Sequence, residues 1–92
     1  MKSIGIVAKE LDVSTDTIRK WDKAGLIKLI GIKQEYVGID RIYSDEDIKK
    51  LKILKKLLKV FYKHKSLAIT LKFVKVETLL KEIELGNKGE RQ

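Results

Sequence analysis

The residues best suited to chemistry lie between Ser14 and Lys20, reading STDTIRK. Ser14, Thr15, Asp16, Thr17, Arg19 and Lys20 place hydroxyls, a carboxylate, a guanidinium and an ammonium within two helical turns. Arg19 can donate two parallel hydrogen bonds to a guanine edge or clamp a phosphate. Thr17 can meet a phosphate or a thymine methyl, and Lys20 can meet a phosphate by charge alone. Most contacts of such a set go to the nucleic-acid backbone and set register, while a few read bases. No catalytic arrangement competes with this reading. Asp12, Asp16 and Asp22 are spaced as caps and surface charges, no nucleophile stands beside a base, and no glycine-rich phosphate loop is present.

The elements that must present these groups are two short helices. Ile4, Val7, Ala8 and Leu11 recur at helical spacing and define one apolar face. Leu11-Asp12-Val13 breaks the period, and Ser14 is placed to cap the next helix by accepting a free backbone N–H. The second helix is predicted from Thr15 to about Ala24, with Ile18 and Trp21 inward and Gly25 as a left-handed stop. Two helices joined by a tight turn, the second bearing Thr, Arg and Lys outward, read as a helix-turn-helix.

The stretch IGIVAKELDVSTDTIRKWDKAGLI resembles the opening of the MerR family, I-G-x-x-A-x-x-x-G-V-S-x-x-T-I-R-x-[YW]-[ED]-x-x-G-L-[IL]. Ile4, Gly5, Ala8, Val13, Ser14, Thr17, Ile18, Arg19, Trp21, Asp22, Gly25, Leu26 and Ile27 fill that pattern, and Asp12 stands where the family usually has Gly. A second block, Arg41-Ile42-Tyr43-Ser44-Asp45-Glu46-Asp47-Ile48, is similar to the family's R-x-Y-S-x-x-D-[IL]. The likeness spans about residues 3 to 60. It implies a mainly α winged helix-turn-helix with a two-stranded wing, binding double-stranded DNA as a transcription regulator. It also implies that Arg41 reaches a phosphate and that Tyr43 is partly buried, bracing the wing. Lys20 occupies a position often aromatic in the family.

Around these blocks the chain is read in order. Leu26 to Ile30 reads as a strand, Gly31 to Gly38 as a loop, and Ile39 to Tyr43 as a second strand completing a β-hairpin. On this wing Lys28, Lys33, Gln34, Tyr36, Arg41 and Tyr43 are candidate DNA contacts, with Lys33 and Gln34 near the tip and able to enter a minor groove. Ser44 to Asp47 forms a capping-box start. The third helix is predicted to run to about Tyr62, with Ile48, Leu51, Leu54, Leu58 and Phe61 inward and Lys49, Lys52, Lys55, Lys56 and Lys59 solvated. Ser66 is placed to cap a fourth helix over Leu67 to Leu85, although the first half of that stretch alternates like a strand. Gly86 is expected to end it, leaving 87 to 92 disordered.

This division gives a DNA-binding domain over 1–63, a C-terminal helix over 64–86 and a tail. On a helical wheel Leu67, Leu71, Val74 and Leu85 fall on one side of the fourth helix. Ile69, Phe73, Val76, Leu79, Leu80 and Ile83 fall on the other. Two apolar sides imply two partners, the chain's own domain and a second copy about a two-fold axis, so a homodimer is expected.

Composition bounds the rest. The 92 residues suit one small domain, and 21 Lys and Arg against 13 Asp and Glu give a net charge of +8, which favours a polyanionic partner. The absence of Cys excludes disulfides and thiolate metal sites, and one His cannot build a metal centre, so no cofactor is expected. No apolar run is long enough for a membrane span and no signal-peptide pattern opens the chain. A cytoplasmic, nucleoid-associated protein without a small-molecule effector is the expectation. The alternatives are an excisionase-like, segregation or DNA-architectural protein, or a protein-interaction module on a winged-helix scaffold.

Overall fold

The computed structural model describes residues 1–61 and 63–90, with side chains described through Ile83. A two-residue strand β1 (Lys2–Ser3) leads into α1 (Ile4–Leu11) and α2 (Thr15–Lys23). A single turn of helix, α3 (Leu26–Leu29), precedes the hairpin of β2 (Glu35–Val37) and β3 (Asp40–Tyr43). Three helices follow: α4 (Asp45–Leu58), α5 (His64–Phe73) and α6 (Val76–Glu90). The strands form one antiparallel sheet in the order β1-β3-β2, with Ile42 paired to Ser3 on one side and to Glu35 on the other.

The helix ends follow local chemistry. Ser14 Oγ accepts the Thr17 N–H at 3.1 Å and caps α2. Ser44 and Asp47 form a reciprocal capping box at α4: the Asp47 N–H donates to Ser44 Oγ at 3.1 Å, and the Ser44 N–H donates to the Asp47 carboxylate at 3.3 Å. Asp45, Glu46 and Asp47 all lie in that first turn, where the helix dipole favours negative charge. Asp12 closes α1 in the left-handed region at φ 57°, and the Val13 N–H reaches back to Ala8 O at 3.0 Å.

One core serves the described residues. Val7, Ile18, Leu26, Ile27, Tyr43, Leu51, Leu54, Leu57 and Leu67 are completely covered, and Trp21 is 3% exposed. Each fully buried aliphatic side chain contributes about 1.5–3 kcal/mol. Trp21 is therefore a core residue of α2, and its neighbours Arg19 and Lys20 are left facing out.

The structure corrects several expectations. Leu26 to Ile30 is helical, not extended. Leu26, Ile27 and Ile30 are all buried, and successive residues reach one core from a helical turn but not from a half-buried strand. Gly25 and Gly31, both at φ +81°, bracket that turn. The first wing strand is instead Glu35–Val37, so the connection is a two-residue turn, Gly38-Ile39, whose left-handed first position (φ +64°) glycine supplies.

The predicted long fourth helix is two helices. Val74, at φ −123° and ψ 132°, breaks the chain between α5 and α6. On a single straight helix Leu71 and Leu79, eight residues apart, would point about 80° apart. The break resets the phase, and both are buried, at 8% and 6% exposure. Ser66 lies inside α5, where its carbonyl accepts the Thr70 hydroxyl at 2.9 Å, and Lys63 holds the N-cap position. Finally, α4 ends at Leu58, and α6 continues through Gly86 to Glu90. The expected helix end at Tyr62, the side chain of Leu85 and the last two positions of the tail, Arg91 and Gln92, lie outside the described residues.

Two lysines of α4 are more than solvated charge. Lys50 Nζ donates to Gly31 O at 3.0 Å and Lys55 Nζ donates to Leu11 O. Both cations meet the carbonyl end of a helix, where their charge is favourable. They tie α4 to the ends of α3 and α1.

Candidate nucleic-acid interface

The outer face of α2 carries the groups singled out above. Arg19 Nη1 donates to Thr15 Oγ1 at 3.3 Å, and Lys20 lies 3.6 Å from Asp16, both pairs one helical turn apart. Lys20 and Asp16 are well exposed, at 68% and 71%. An exposed pair of this kind is worth little and gives way readily to a stronger anion. Ser14 Oγ and Thr17 Oγ1 are 2.9 Å apart, so Thr17 is partly committed to the cap and is half-buried. Asp16, Arg19 and Lys20 thus form the exposed outer surface, with the half-buried Thr15 held against Arg19 and Lys23 one turn further on.

Next to α2 runs a cleft of about 690 Å³, bounded by Asp22, Lys28, Lys33, Gln34 and Tyr36. It joins the C-terminal end of α2, through α3, to the base of the wing. Lys28 and Lys33 are exposed on it, and Tyr36 is 56% exposed. These residues, separated in sequence, form one surface with α2.

The wing itself differs from the expected picture. Lys33 and Gln34 precede β2 and stand at the wing's base, not near its tip. The tip is Gly38-Ile39, flanked by Val37, with Ile39 96% and Val37 63% exposed. Gln34 is turned inward, and its Oε1 accepts the Tyr43 hydroxyl at 2.7 Å. Tyr43 is fully rather than partly buried. Burial pushes its hydroxyl pKa above the ordinary value, opposed by the nearby Arg41 guanidinium. Arg41 is mostly covered, and its Nη2 lies 3.6 Å from Asp22 Oδ2 on α2. Sequence reasoning missed the apolar tip, because placing it requires the strand register. It also missed the Asp22–Arg41 pair, which joins the two family-like blocks across the fold.

A second groove, of about 580 Å³, lies on the other side of α2 against α5 and is rimmed by Lys20, Lys23, His64, Lys65 and Lys72. Positive charge is therefore collected around α2 on both sides. Among the described residues no cluster of His, Asp or Glu could hold a metal ion, and no helix is long and apolar enough to cross a membrane.

Of the six residues expected at a dimer contact, Ile69 and Phe73 are 58% and 83% exposed. Leu79 is buried within its own chain, and Val76, Leu80 and Ile83 are half-covered by the same core. The break at Val74 removes the single continuous wheel on which the six shared a side.

A helix-turn-helix with a capped, cationic second helix and an adjoining β-wing defines a winged DNA-binding protein. The sequence pattern of the MerR HTH family regulatory proteins matches residues 2–73, from β1 through the end of α5, and the chain belongs to that family of DNA-binding regulators. No curated protein and no solved structure matches it.

Proposed function

We propose that this protein is a sequence-specific regulator of transcription that binds double-stranded DNA with α2 in the major groove and the wing along the flanking backbone or minor groove. The observation that carries this reading is the continuity of one surface: Arg19, Lys20 and Lys23 on α2 lead through the cleft to Lys28 and Lys33 at the wing base. Charge confined to the helices behind α2 would have suited a protein-interaction module instead. Arg19 is the base-reading candidate, by two hydrogen bonds to guanine. Thr15, Lys20, Lys28 and Lys33 set register on phosphates. The exposed Val37 and Ile39 give the wing an apolar tip, suited to a groove wall more than to a phosphate.

The functional unit in this reading is a homodimer. Ile69 and Phe73, one turn apart on α5, form an exposed apolar ridge, while Val76, Leu80 and Ile83 of α6 are half-covered by the core of their own chain. Two copies about a two-fold axis cover such a ridge and bring two α2 helices to half-sites of a roughly palindromic site. Selection of sites from a pool of random duplexes tests the whole reading. Enriched inverted half-sites are expected; failure to enrich any motif over several rounds would remove sequence specificity.

A further inference from the structure

The cleft beside α2 contains an acid where a polyanion is expected to lie. Asp22 lines it together with Lys28 and Lys33. A bare carboxylate there would repel phosphate. Asp22 is not bare: its Oδ2 lies 3.6 Å from Arg41 Nη2, and the two side chains are only 23% and 22% exposed. Arg41 Nη1 is fully buried and without a hydrogen-bond partner among the described residues. The guanidinium is thus turned into the protein. Arg41 and Tyr43, two apart on β3, share a face of that strand. Tyr43 in turn donates to Gln34 at the start of the wing. The order Asp22, Arg41, Tyr43, Gln34 runs from the recognition helix across the central strand to the wing base.

Tyr43 and packing against α1 and α4 hold the inner strand β3, but no such packing reaches β2. Every residue of β2 is exposed, so the outer strand buries no side chain and is carried by its pairing with β3. On its other side β3 pairs with only the two residues of β1. With no side chain of β2 buried, the angle of the outer wing to α2 follows from how firmly the base of the hairpin is fixed.

We propose that Asp22 is a positioning residue for DNA binding: paired with Arg41 and, through Tyr43, with Gln34, it forms a strut that fixes the wing relative to α2. Arg41 works in this strut and not on a phosphate. The proposal rests on the DNA-binding reading above and adds that an acid on the DNA-facing side strengthens binding.

The sign of one substitution decides it. By charge alone, Asp22→Asn removes a repulsion and tightens binding to duplex DNA, as Glu35→Gln, an exposed acid of the wing, is expected to do. The strut requires the opposite: Asp22→Asn weakens binding to a selected site by about tenfold, and Asp22→Glu recovers part of the loss. In a double-mutant cycle Asp22→Asn with Arg41→Gln is then no worse than the worse single variant. Tighter or unchanged binding by Asp22→Asn, or additive losses in the cycle, overturns the proposal.

A DNA-free arm separates its failure from failure of the functional reading. Amide hydrogen exchange at Ile42 and along β2 should accelerate in Asp22→Asn while the α4 amides stay protected. A wild-type protein that binds no duplex defeats the function. Unchanged wing exchange in the folded variant defeats the strut.

Discussion

Tyr43, completely buried at the end of β3, donates its hydroxyl hydrogen to Gln34 Oε1 at 2.7 Å, binding the first residue before the wing to its last strand. Burial favours the neutral phenol, so the folded-state pKa lies above the ordinary 10.0. Between the two values the unfolded chain has lost this proton and the folded chain has kept it. Stability from Tyr43 is therefore full below pH 10 and is lost as pH rises through the folded pKa. Tyr43→Phe should cost about 1 kcal/mol at neutral pH and flatten the alkaline decline. Urea unfolding of both proteins from pH 7 to 11 checks this; parallel curves would contradict it.

The reading of α2 predicts a separation between two kinds of variant. Arg19→Ala should cost about 1–3 kcal/mol on a selected site and relax one base position. Lys28→Ala and Lys33→Ala should weaken selected and scrambled DNA alike, each lowering the slope of log K against log salt by about one. Equal losses on both DNAs for Arg19→Ala would make it a backbone clamp. Titrations by fluorescence anisotropy across a salt series distinguish these outcomes.

The cap of α4 should be worth measuring on its own. Ser44→Ala removes the oxygen that accepts the Asp47 N–H and should cost about 1 kcal/mol. In a domain of this size that lowers Tm by about 4–8 °C. Calorimetry on the two proteins suffices, and a shift near zero would mean that water caps the helix equally well.

Asp12 holds the left-handed position where the family usually has glycine, at φ 57° and ψ 48°. It also places a carboxylate at the C-terminal end of α1, where the dipole opposes it. Asp12→Gly should therefore be neutral to stabilising, by up to about 1 kcal/mol, since relief of both effects exceeds the added freedom of the unfolded chain. Denaturant midpoints report it; a loss of stability would show that the Asp side chain supports the turn.

The dimer is best tested at residues that the fold does not need. Ile69 and Phe73 are exposed, so Ile69→Glu with Phe73→Glu should leave the domain folded while abolishing self-association. Light scattering at micromolar concentration should give a dimer for the wild type and a monomer for the variant. A monomeric wild type, or a dimeric variant, would exclude this ridge as the contact.

Local chemistry makes a large part of this protein legible in its sequence. The helix-turn-helix, the Ser14 and Ser44 caps, the Gly25 stop and the burial of Trp21 each depend on residues within one or two turns of chain. Their physics is local hydrogen bonding and helical periodicity. Tertiary packing decided the rest. Leu26 to Ile30 has the composition of a strand, yet the core takes Leu26, Ile27 and Ile30 together, which only a helical turn allows. Leu67 to Leu85 has two apolar phases, and bending at Val74 brings Leu71 and Leu79 into the same core. The wing's tip followed from a register that no local pattern specified, and it moved Lys33 and Gln34 from tip to base. Arg41 reads as a free cation in the sequence because its partner, Asp22, lies on another element. Sequence periodicity tells which face of a segment is apolar. Only the folded chain tells which charges meet across the space between segments.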